Sequence, residues 1–440
     1  MTDTFRLPES GWLRAPALAR ALALLNRDGE AARVVGGAAR NALMGLPLSD
    51  LDIATTAVPE EVMRRAAAAG LKAVPTGIDH GTVTVIVDGG PFEVTTLRQD
   101  VETFGRKAKV AFGRDWKVDA ERRDFTMNAL SISPDGIVHD YVGGLADLNA
   151  RRVRFIGDPA QRIAEDYLRI LRFFRFQASY AHGAPDAAGL HACIVAREGL
   201  RALSRERVRA ELMKLLVAPF AVPTFVVMAE TGFAELLLGS VPLLASFANM
   251  IKVEEAAGVA PDAVRRLGAL GVFIAEDAER LRQKLRLFNA EHERLTAMSR
   301  QWWRVSPALG DHGARALLYR LGPTDYVDRV LIAWTRAPQG AHDPAWRELA
   351  TLPARWTAPD FPLKSAGLMA RGVARGPALG EAMRAAEEAW IAAGFPTDAA
   401  ALDRIADDAA RTAVAAKRFD PVEVRLRSVP LAVEPRWTKW

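Results

Sequence analysis

The sequence is poor in cysteine: Cys193 is the only one in 440 residues, which excludes an intramolecular disulfide and a cysteine-rich zinc site. A lone cysteine of this kind is expected as a small buried residue. Long apolar runs are missing as well. Arg20 interrupts the first, Glu230 and Glu235 interrupt the one from Phe220 to Leu244, and none reaches the ~20 residues of a membrane span. Met1–Ser10 carries Asp3, Arg6 and Glu9 and has no apolar signal core. There is no low-complexity tail and no repeat of fixed period. These absences predict a soluble, cytoplasmic protein with no membrane partner. Neither sign of charge dominates: the net charge of +5 and a pI near 9.4 permit a polyanionic partner without establishing one. Half the residues are hydrophobic and a quarter charged, which excludes wholesale disorder.

At ~150 residues per domain the length suggests about three domains. The first part mixes two patterns. Ala32–Val35 reads as a short strand stopped by Gly36-Gly37, and Thr82–Val87 and Phe92–Thr96 read as a hairpin around Asp88-Gly89-Gly90-Pro91. Pro59–Ala69 has helix signals at both ends. An α+β head with a small sheet is therefore expected. From about Asp158 onward the segments read helical: Arg162–Phe176, Arg205–Leu216, Ala278–Phe288, Glu291–Trp303 and Ala378–Ala393. Pro338–Leu363, richer in proline and tryptophan, reads as a connecting segment.

The strongest chemical signal is Gly36-Gly37-Ala38-Ala39-Arg40 followed by Asp50-Leu51-Asp52. If Leu48–Ala54 is a strand, Asp50 and Asp52 share one face. Two carboxylates ~7 Å apart repel unless a cation lies between them, and hard oxygen ligands of this kind suit Mg²⁺ with phosphate oxygens. The double glycine lets the backbone approach a phosphate and leads into a helix N-terminus, with Arg40 in its first turn. A lone Gly-Gly is commonly a turn, and a lone Asp-x-Asp a solvated edge; the combination within about twenty residues points to metal and phosphate. Glu93 on the Phe92–Thr96 strand is the candidate third carboxylate for two-metal phosphoryl transfer, the alternative being a solvent-facing glutamate. Arg122 and Arg123 beside Asp124 read either as a capped helix start or as a guanidinium aimed at phosphate. Asp166 and Arg169, at i and i+3, share a helix face. They form either a surface ion pair or a base-reading pair that accepts cytosine and adenine and rejects uracil and guanine. Arg172 stays near that face, whereas Arg175 drifts from it. Gln99–Lys117, basic and glycine-containing, reads as a mobile, phosphate-facing loop or as a passive connection.

Taken in order, these motifs resemble the class II template-independent nucleotidyltransferases, the family of CCA-adding enzymes and bacterial poly(A) polymerases. The resemblance rests on Gly36-Gly37-x-x-Arg40 with Asp50-x-Asp52, and on Arg122-Arg123-Asp124-Phe125-Thr126-x-Asn128-Ala129. It continues through Asp140-x-x-Gly143-Gly144-x-x-Asp147-Leu148, Glu165-Asp166-x-x-Arg169 and Ser204-x-Glu206-Arg207-x-x-x-Glu211. It implies a polymerase-β-like α+β head (1–150), followed by an all-α neck reading the base (151–220), a body (221–335) and a tRNA-binding tail (336–440). It also implies catalysis at Asp50, Asp52 and Glu93, with Mg²⁺ on the two aspartates. The nucleotide is expected among Gly36, Gly37, Arg40, Arg122, Arg123, Asp166, Arg169, Arg172 and Arg175. Of the adjacent arginines, Arg123, next to Asp124, is the preferred one. The implied function is a CTP(ATP):tRNA nucleotidyltransferase adding CCA or part of it, with tRNA as partner and CTP and ATP as substrates. The alternative is a poly(A) polymerase. The end of the sequence, Arg436–Trp440, lacks the basic run of many such polymerases and favours CCA addition. The histidines are scattered, so the phosphohydrolase activity of some relatives is not expected; His80 reads as a turn residue.

Overall fold

The structure is a computed structural model of the chain. It describes residues 5–7, 11–48, 50–104 and 107–418, with main chain only at 100–104, 107–110 and 416–418. Ser49, the Gly105–Arg106 tip of the expected loop and the Arg436–Trp440 end lie outside the described residues. The chain divides into two compact units, Met1–Arg304 with Leu331–Asp343, and Val305–Val330 with Pro344–Trp440.

The first unit opens with β1 (Phe5–Arg6), α1 (Pro16–Leu25), β2 (Ala32–Val35), α2 (Gly36–Leu43), β3 (Asp52–Thr55) and α3 (Pro59–Ala68). Next come β4 (Lys72–Gly77), β5 (Thr82–Val87), β6 (Gly90–Thr96), β7 (Arg98–Phe104) and β8 (Lys107–Phe112). The head closes with α4 (Trp116–Glu121), β9 (Ser131–Ile132), β10 (Ile137–His139) and α5 (Gly144–Asn149). Eight strands form one sheet in the order β1-β10-β9-β2-β3-β6-β5-β4. The β3–β6 pair is parallel and the other neighbours antiparallel, a mixed sheet as expected.

The sequence explains the sheet's two faces. In β5, Val83, Val85 and Val87 are buried while Thr82, Thr84 and Ile86 are half-buried, a period of two that turns the valines toward α1 and α3. Asp88 (φ 50°) and Gly89 (φ 81°) form the two-residue turn to β6, left-handed at both positions as a type I′ hairpin requires. Two expectations change here. The strand predicted over Leu48–Ala54 starts only at Asp52, because pairing with β6 begins there and pairing with β2 one residue later, and among the described residues no strand pairs with Asp50. The segment Gln99–Lys117, expected as a loop, is mostly the antiparallel pair β7–β8, set apart from the main sheet.

Four helices follow: α6 (Pro159–Glu165), α7 (Leu168–Tyr180), α8 (Ala187–Val195) and α9 (Arg205–Leu216). The single helix predicted over Arg162–Phe176 is broken at Asp166, whose backbone is extended (φ −156°, ψ 108°). The Asp166 carboxylate accepts from Leu168 N at 3.1 Å and its carbonyl from Arg169 N at 3.0 Å, so the residue caps α7 instead of continuing α6. An aromatic cluster fixes α7 against the head. Phe125 lies 4.9 Å from Phe155 and 5.1 Å from Phe176 between ring centroids, and Phe155 stacks on Phe173 at 5.5 Å. Each such buried ring contributes about 2 kcal/mol of transfer free energy. Cys193 of α8 is buried, and burial pushes its thiol pKa up. The unit continues with α10 (Ala221–Glu230), α11 (Phe233–Leu238), α12 (Leu244–Ala257), α13 (Ala263–Gly271), α14 (Ala275–Leu285) and α15 (Asn289–Ser299).

The helical stretch α16 (Gly310–Trp334) breaks at Gly322 (φ 72°), just before Pro323. In the second unit come α17 (Pro344–Ala350), α18 (Ser365–Ala370), α19 (Pro377–Ala392) and α20 (Ala399–Arg418). Their core gathers Ala316, Trp390, Ile391 and Phe395, with Tyr319, Trp356 and Phe361 packed on it. Pro338–Leu363 is therefore more than a connection: α17 buries Trp346 and Leu349. No helix among the described residues is long and apolar enough to cross a membrane.

Candidate active site

A cleft of about 680 Å³ opens in the first unit. On one side it is lined by Gly36, Gly37 and Arg40 of α2, by Asp50 and Asp52, and by Arg123, Asp124 and Asn128. Asp166, Leu168, Arg169, Arg172, Arg175, Phe176 and Arg207 line the other side. All but two of the predicted site residues thus meet in one cavity. Glu93 is the Cα partner of Asp52 across β3–β6, exposed and beside the cleft instead of lining it. Arg122 turns away: its guanidinium binds Asp119 at 2.7 Å, because successive residues at the end of α4 project about 100° apart. Of the two arginines, the cleft takes Arg123.

Asp52 is a strongly perturbed carboxylate. Burial, then the nearby charges of Glu93 and Asp50, push its pKa up to about 6, against the opposing pull of Arg123. Gly36 sits beside this pair with φ 67°, and a Cβ built on it would lie 3.5 Å from Arg123 Nη1 and 3.8 Å from Asp52 Oδ2. No side chain caps the N-terminus of α2, so its first amides remain available to an anion. Among the described residues no group of three or more His, Cys, Asp or Glu side chains could hold a metal ion by itself. The donors fit a divalent ion nonetheless. Asp50 and Asp52 offer hard oxygens close together, and phosphate oxygens and water would complete the shell.

Arg40 is buried, and four of its five N–H groups are engaged. They go to Asn128 Oδ1 (2.6 Å), Tyr180 Oη (2.7 Å) and twice to Asn41 Oδ1 (2.9 and 3.2 Å). Its guanidinium also lies 4.0 Å over the Tyr180 ring. Arg40 therefore joins α2 to α7 and leaves one N–H for a ligand. Phe176 has Arg40, Arg172 and Arg175 within 4.3–5.5 Å of its ring centre. Cation–π attraction lets three like charges crowd one wall of the cleft. Sequence reasoning did not single out Phe176, which entered only as the end of the helical segment Arg162–Phe176.

Arg172 donates to Asp124, whose carboxylate also accepts from Phe125 N and Asn128 Nδ2. Arg175, expected to drift from the face, lines the cleft with Arg172: its long side chain reaches back to Glu211 of α9, Nε to Oε2 at 2.5 Å. Arg169 bonds Glu165 and the Arg162 carbonyl, both through Nη1. Asp166 pairs with Arg207, not with Arg169, at 2.6 Å. Arg207 was visible only as a member of the Ser204–Glu211 motif. The Asp140 motif, in contrast, is scaffold. The Asp140 carboxylate accepts from the backbone N–H of Val142, Gly143, Gly144 and Leu145, and a Cβ at Gly144 would come within 2.2 Å of the Thr126 carbonyl oxygen.

Residues 32–154 match the family described as the poly A polymerase head domain. Residues 190–247 match the probable RNA and SrmB-binding site of polymerase A. Sheet, cleft and match together define a head of the nucleotidyltransferase class. The mitochondrial CCA tRNA nucleotidyltransferase 1 of Danio rerio is 44% identical over 206 residues, 46% of this chain and 48% of that protein. The matched region thus spans about half the length of this and similar curated relatives. The CCA-adding enzyme of Limosilactobacillus fermentum is 30% identical over 368 residues, 82% of this chain and 89% of its own. The solved structure of the Bacillus stearothermophilus CCA-adding enzyme in complex with CTP superposes with a TM-score of 0.71 at 28% identity, over 91% of this chain and 98% of that one. The chain belongs to the CCA-adding enzyme family.

Proposed function

We propose that this protein is a CTP(ATP):tRNA nucleotidyltransferase that adds CCA, or part of it, to tRNA 3′ ends without a nucleic-acid template. One observation carries the reading: Asp50 and Asp52 line the same cleft as Asp166 and Arg169, so a single nucleotide can meet both pairs. The acceptor 3′-hydroxyl attacks the α-phosphate of CTP or ATP, and pyrophosphate leaves. Asp50 and Asp52 would hold a divalent ion, Mg²⁺ by their all-oxygen donor set, which when bound neutralises phosphate charge and acidifies the hydroxyl. Glu93 adds negative potential beside Asp52. The amides of Gly36 and Gly37 and the guanidinium of Arg123 face the triphosphate, and Arg172 and Arg175 extend that positive wall. Arg40 contributes through its remaining N–H. Arg122 acts at one remove, by fixing Asp119, which also accepts from Arg123 at 3.2 Å. Catalysis then consists of positioning and charge stabilisation.

Base choice falls to Asp166 and Arg169. A carboxylate accepts from an exocyclic amine while a guanidinium donates to a ring acceptor, a pattern that cytosine and adenine satisfy and uracil and guanine do not. Nε and Nη2 of Arg169 have no partner among the described residues, which supports this assignment. The nucleotidyltransferase head is assigned to 1–150, the base-reading neck to 151–220, the body to 221–335 and a tRNA-binding tail to 336–440. We assign the protein to the cytoplasm, where tRNA and free nucleotides meet.

The test is product sequencing. A tRNA transcript lacking its 3′ end is incubated with CTP and ATP separately and together, beside an unstructured RNA with ATP alone. Extension of the tRNA by CCA, or by its C or A part, is expected. Preferential A-tailing of the unstructured RNA would overturn the reading in favour of a poly(A) polymerase.

A further inference from the structure

We infer that Arg207 is a positioning residue for base selection: it holds the Asp166 carboxylate in the orientation from which that carboxylate accepts from a base. This rests on the base-reading role proposed for Asp166. Arg207 stands on α9 and reaches Asp166, in the break between α6 and α7. Its Nη2 donates to Asp166 Oδ2 at 2.6 Å, while Leu168 N donates to Oδ1 at 3.1 Å. Each carboxylate oxygen thus has one protein partner. An ionised carboxylate has two acceptor directions per oxygen, so one direction on each stays open.

The need for such a clamp follows from the break between α6 and α7. Asp166 is extended, so no helical turn restricts its side chain as it would inside α7. Rotation about its χ angles would carry the open acceptor directions away from a bound base. Two anchors oppose that rotation, and only Arg207 carries charge. The two side chains are 28% and 20% exposed, partly withdrawn from water, where a charge-assisted bond holds more firmly than on an open surface.

Arg169 is anchored separately, through Nη1 to Glu165 and the Arg162 carbonyl. Loss of Arg207 therefore leaves the donor half of the reading pair in place and loosens only the acceptor half. One turn along α9, Glu211 accepts from Arg175, so the same helix face steadies a carboxylate and a guanidinium of the cleft wall.

The experiment measures kcat and KM for all four nucleoside triphosphates, on a tRNA transcript lacking its 3′ end. It uses the full chain and the variants Arg207→Ala, Arg207→Lys, Asp166→Ala and the Arg207→Ala/Asp166→Ala double variant. Arg207→Ala is expected to lower the ratio of kcat/KM for CTP over UTP about tenfold or more, mostly through the KM for CTP. Arg207→Lys should recover much of the ratio. On the Asp166→Ala background, Arg207→Ala should change the ratio no further. An unchanged ratio in Arg207→Ala, with the ratio lost in Asp166→Ala, overturns the proposal and leaves the base reading standing. A further loss in the double variant also overturns it, because Arg207 would then touch the nucleotide directly. A ratio retained in Asp166→Ala overturns the base reading itself, and the proposal with it. If Arg207→Ala does not fold, as judged by its thermal midpoint, Arg207→Gln against Arg207→Lys gives the same comparison.

Discussion

Arg172 of α7 donates both Nε and Nη2 to one oxygen of Asp124, the Nε bond measuring 2.7 Å. The other oxygen accepts from Phe125 N at 2.9 Å and Asn128 Nδ2 at 3.1 Å. The carboxylate is thus fully bonded, and it ties the helix that carries the arginine wall to the segment that carries Arg123. Removing Asp124, whose side chain is 10% exposed, strands the charge of Arg172, which is 34% exposed and so only partly rescued by water. Asp124→Ala should therefore cost about 3 kcal/mol of stability, read as a shift of the urea midpoint.

The same pair sets a pH dependence. Burial raises the Asp124 pKa, but Arg172 and the hydrogen bonds outweigh it and hold it below the ordinary carboxylate value. A carboxylate with a depressed folded pKa stabilises the protein above its unfolded pKa of ~3.9 and loses that contribution as pH falls through the folded value. Wild-type protein should therefore be more stable than Asp124→Asn at pH 7, and the difference should shrink below about pH 4. A difference that grows on acidification would contradict the assignment. Urea titrations at several pH values measure it.

Asp50→Ala and Asp52→Ala should each abolish nucleotide incorporation while leaving the circular dichroism spectrum and tRNA binding largely intact. Unneutralised phosphate charge in the transition state is a loss of several kcal/mol, so the rate should fall by roughly a thousandfold or more. Either variant that retains near-full, Mg²⁺-dependent incorporation would remove the metal assignment.

Gly36→Ala probes the close approach at the cleft floor. Its two nearest contacts are ordinary van der Waals distances, so the main cost is backbone: a left-handed φ for alanine, about 1 kcal/mol. The added methyl also stands beside Arg123 and Asp52, and the KM for nucleotide should rise more than kcat falls. Steady-state kinetics with CTP separates the two.

If one site is to add first C and then A, as proposed above, the β7–β8 pair is the element suited to move between the two, since among the described residues it pairs with no strand of the main sheet. Its base is anchored where Arg114 donates to Glu30 (2.6 Å) and to the Gly29 carbonyl (2.7 Å). Replacing residues 99–112 with a glycine-serine link, with Arg114 retained, should preserve addition of the two C residues and depress the final A. Equal loss of C and A, or no loss, would take the hairpin out of the mechanism. Product lengths on a sequencing gel give the answer.

What the sequence made legible was mainly local. The alternation of Thr82–Val87, the Asp88-Gly89 turn and the Pro59 helix start appear in the structure nearly residue for residue, because neighbours in the chain dictate them. The cleft's composition was legible through motifs, since Gly36, Asp50, Asp52, Arg123 and Asp166 are types with specific chemistry. The break at Asp166 was not: neither it nor Tyr167 is a helix breaker, and the carboxylate that accepts from Leu168 N there is also held by Arg207, 41 positions away. The helical-wheel argument against Arg175, which the family motif had placed at the nucleotide, failed for a related reason, as a wheel ignores the reach of a long side chain toward Glu211 on another helix. The short strands β9 and β10 carry too few residues for any periodicity, and only their neighbours in the sheet define them.

Cys193, alone of its kind and shut inside α8, has a practical consequence for measuring motion. A thiol both buried and held in its protonated form reacts slowly with maleimides. The native protein is thus a near-silent background for site-directed labelling, with no cysteine to remove first. Gly113 follows β8, and a Cβ there meets nothing within 4 Å. Gly113→Cys would accordingly offer one reactive handle at the foot of the hairpin, where a spin label or dye would report whether the hairpin is displaced as each nucleotide is added.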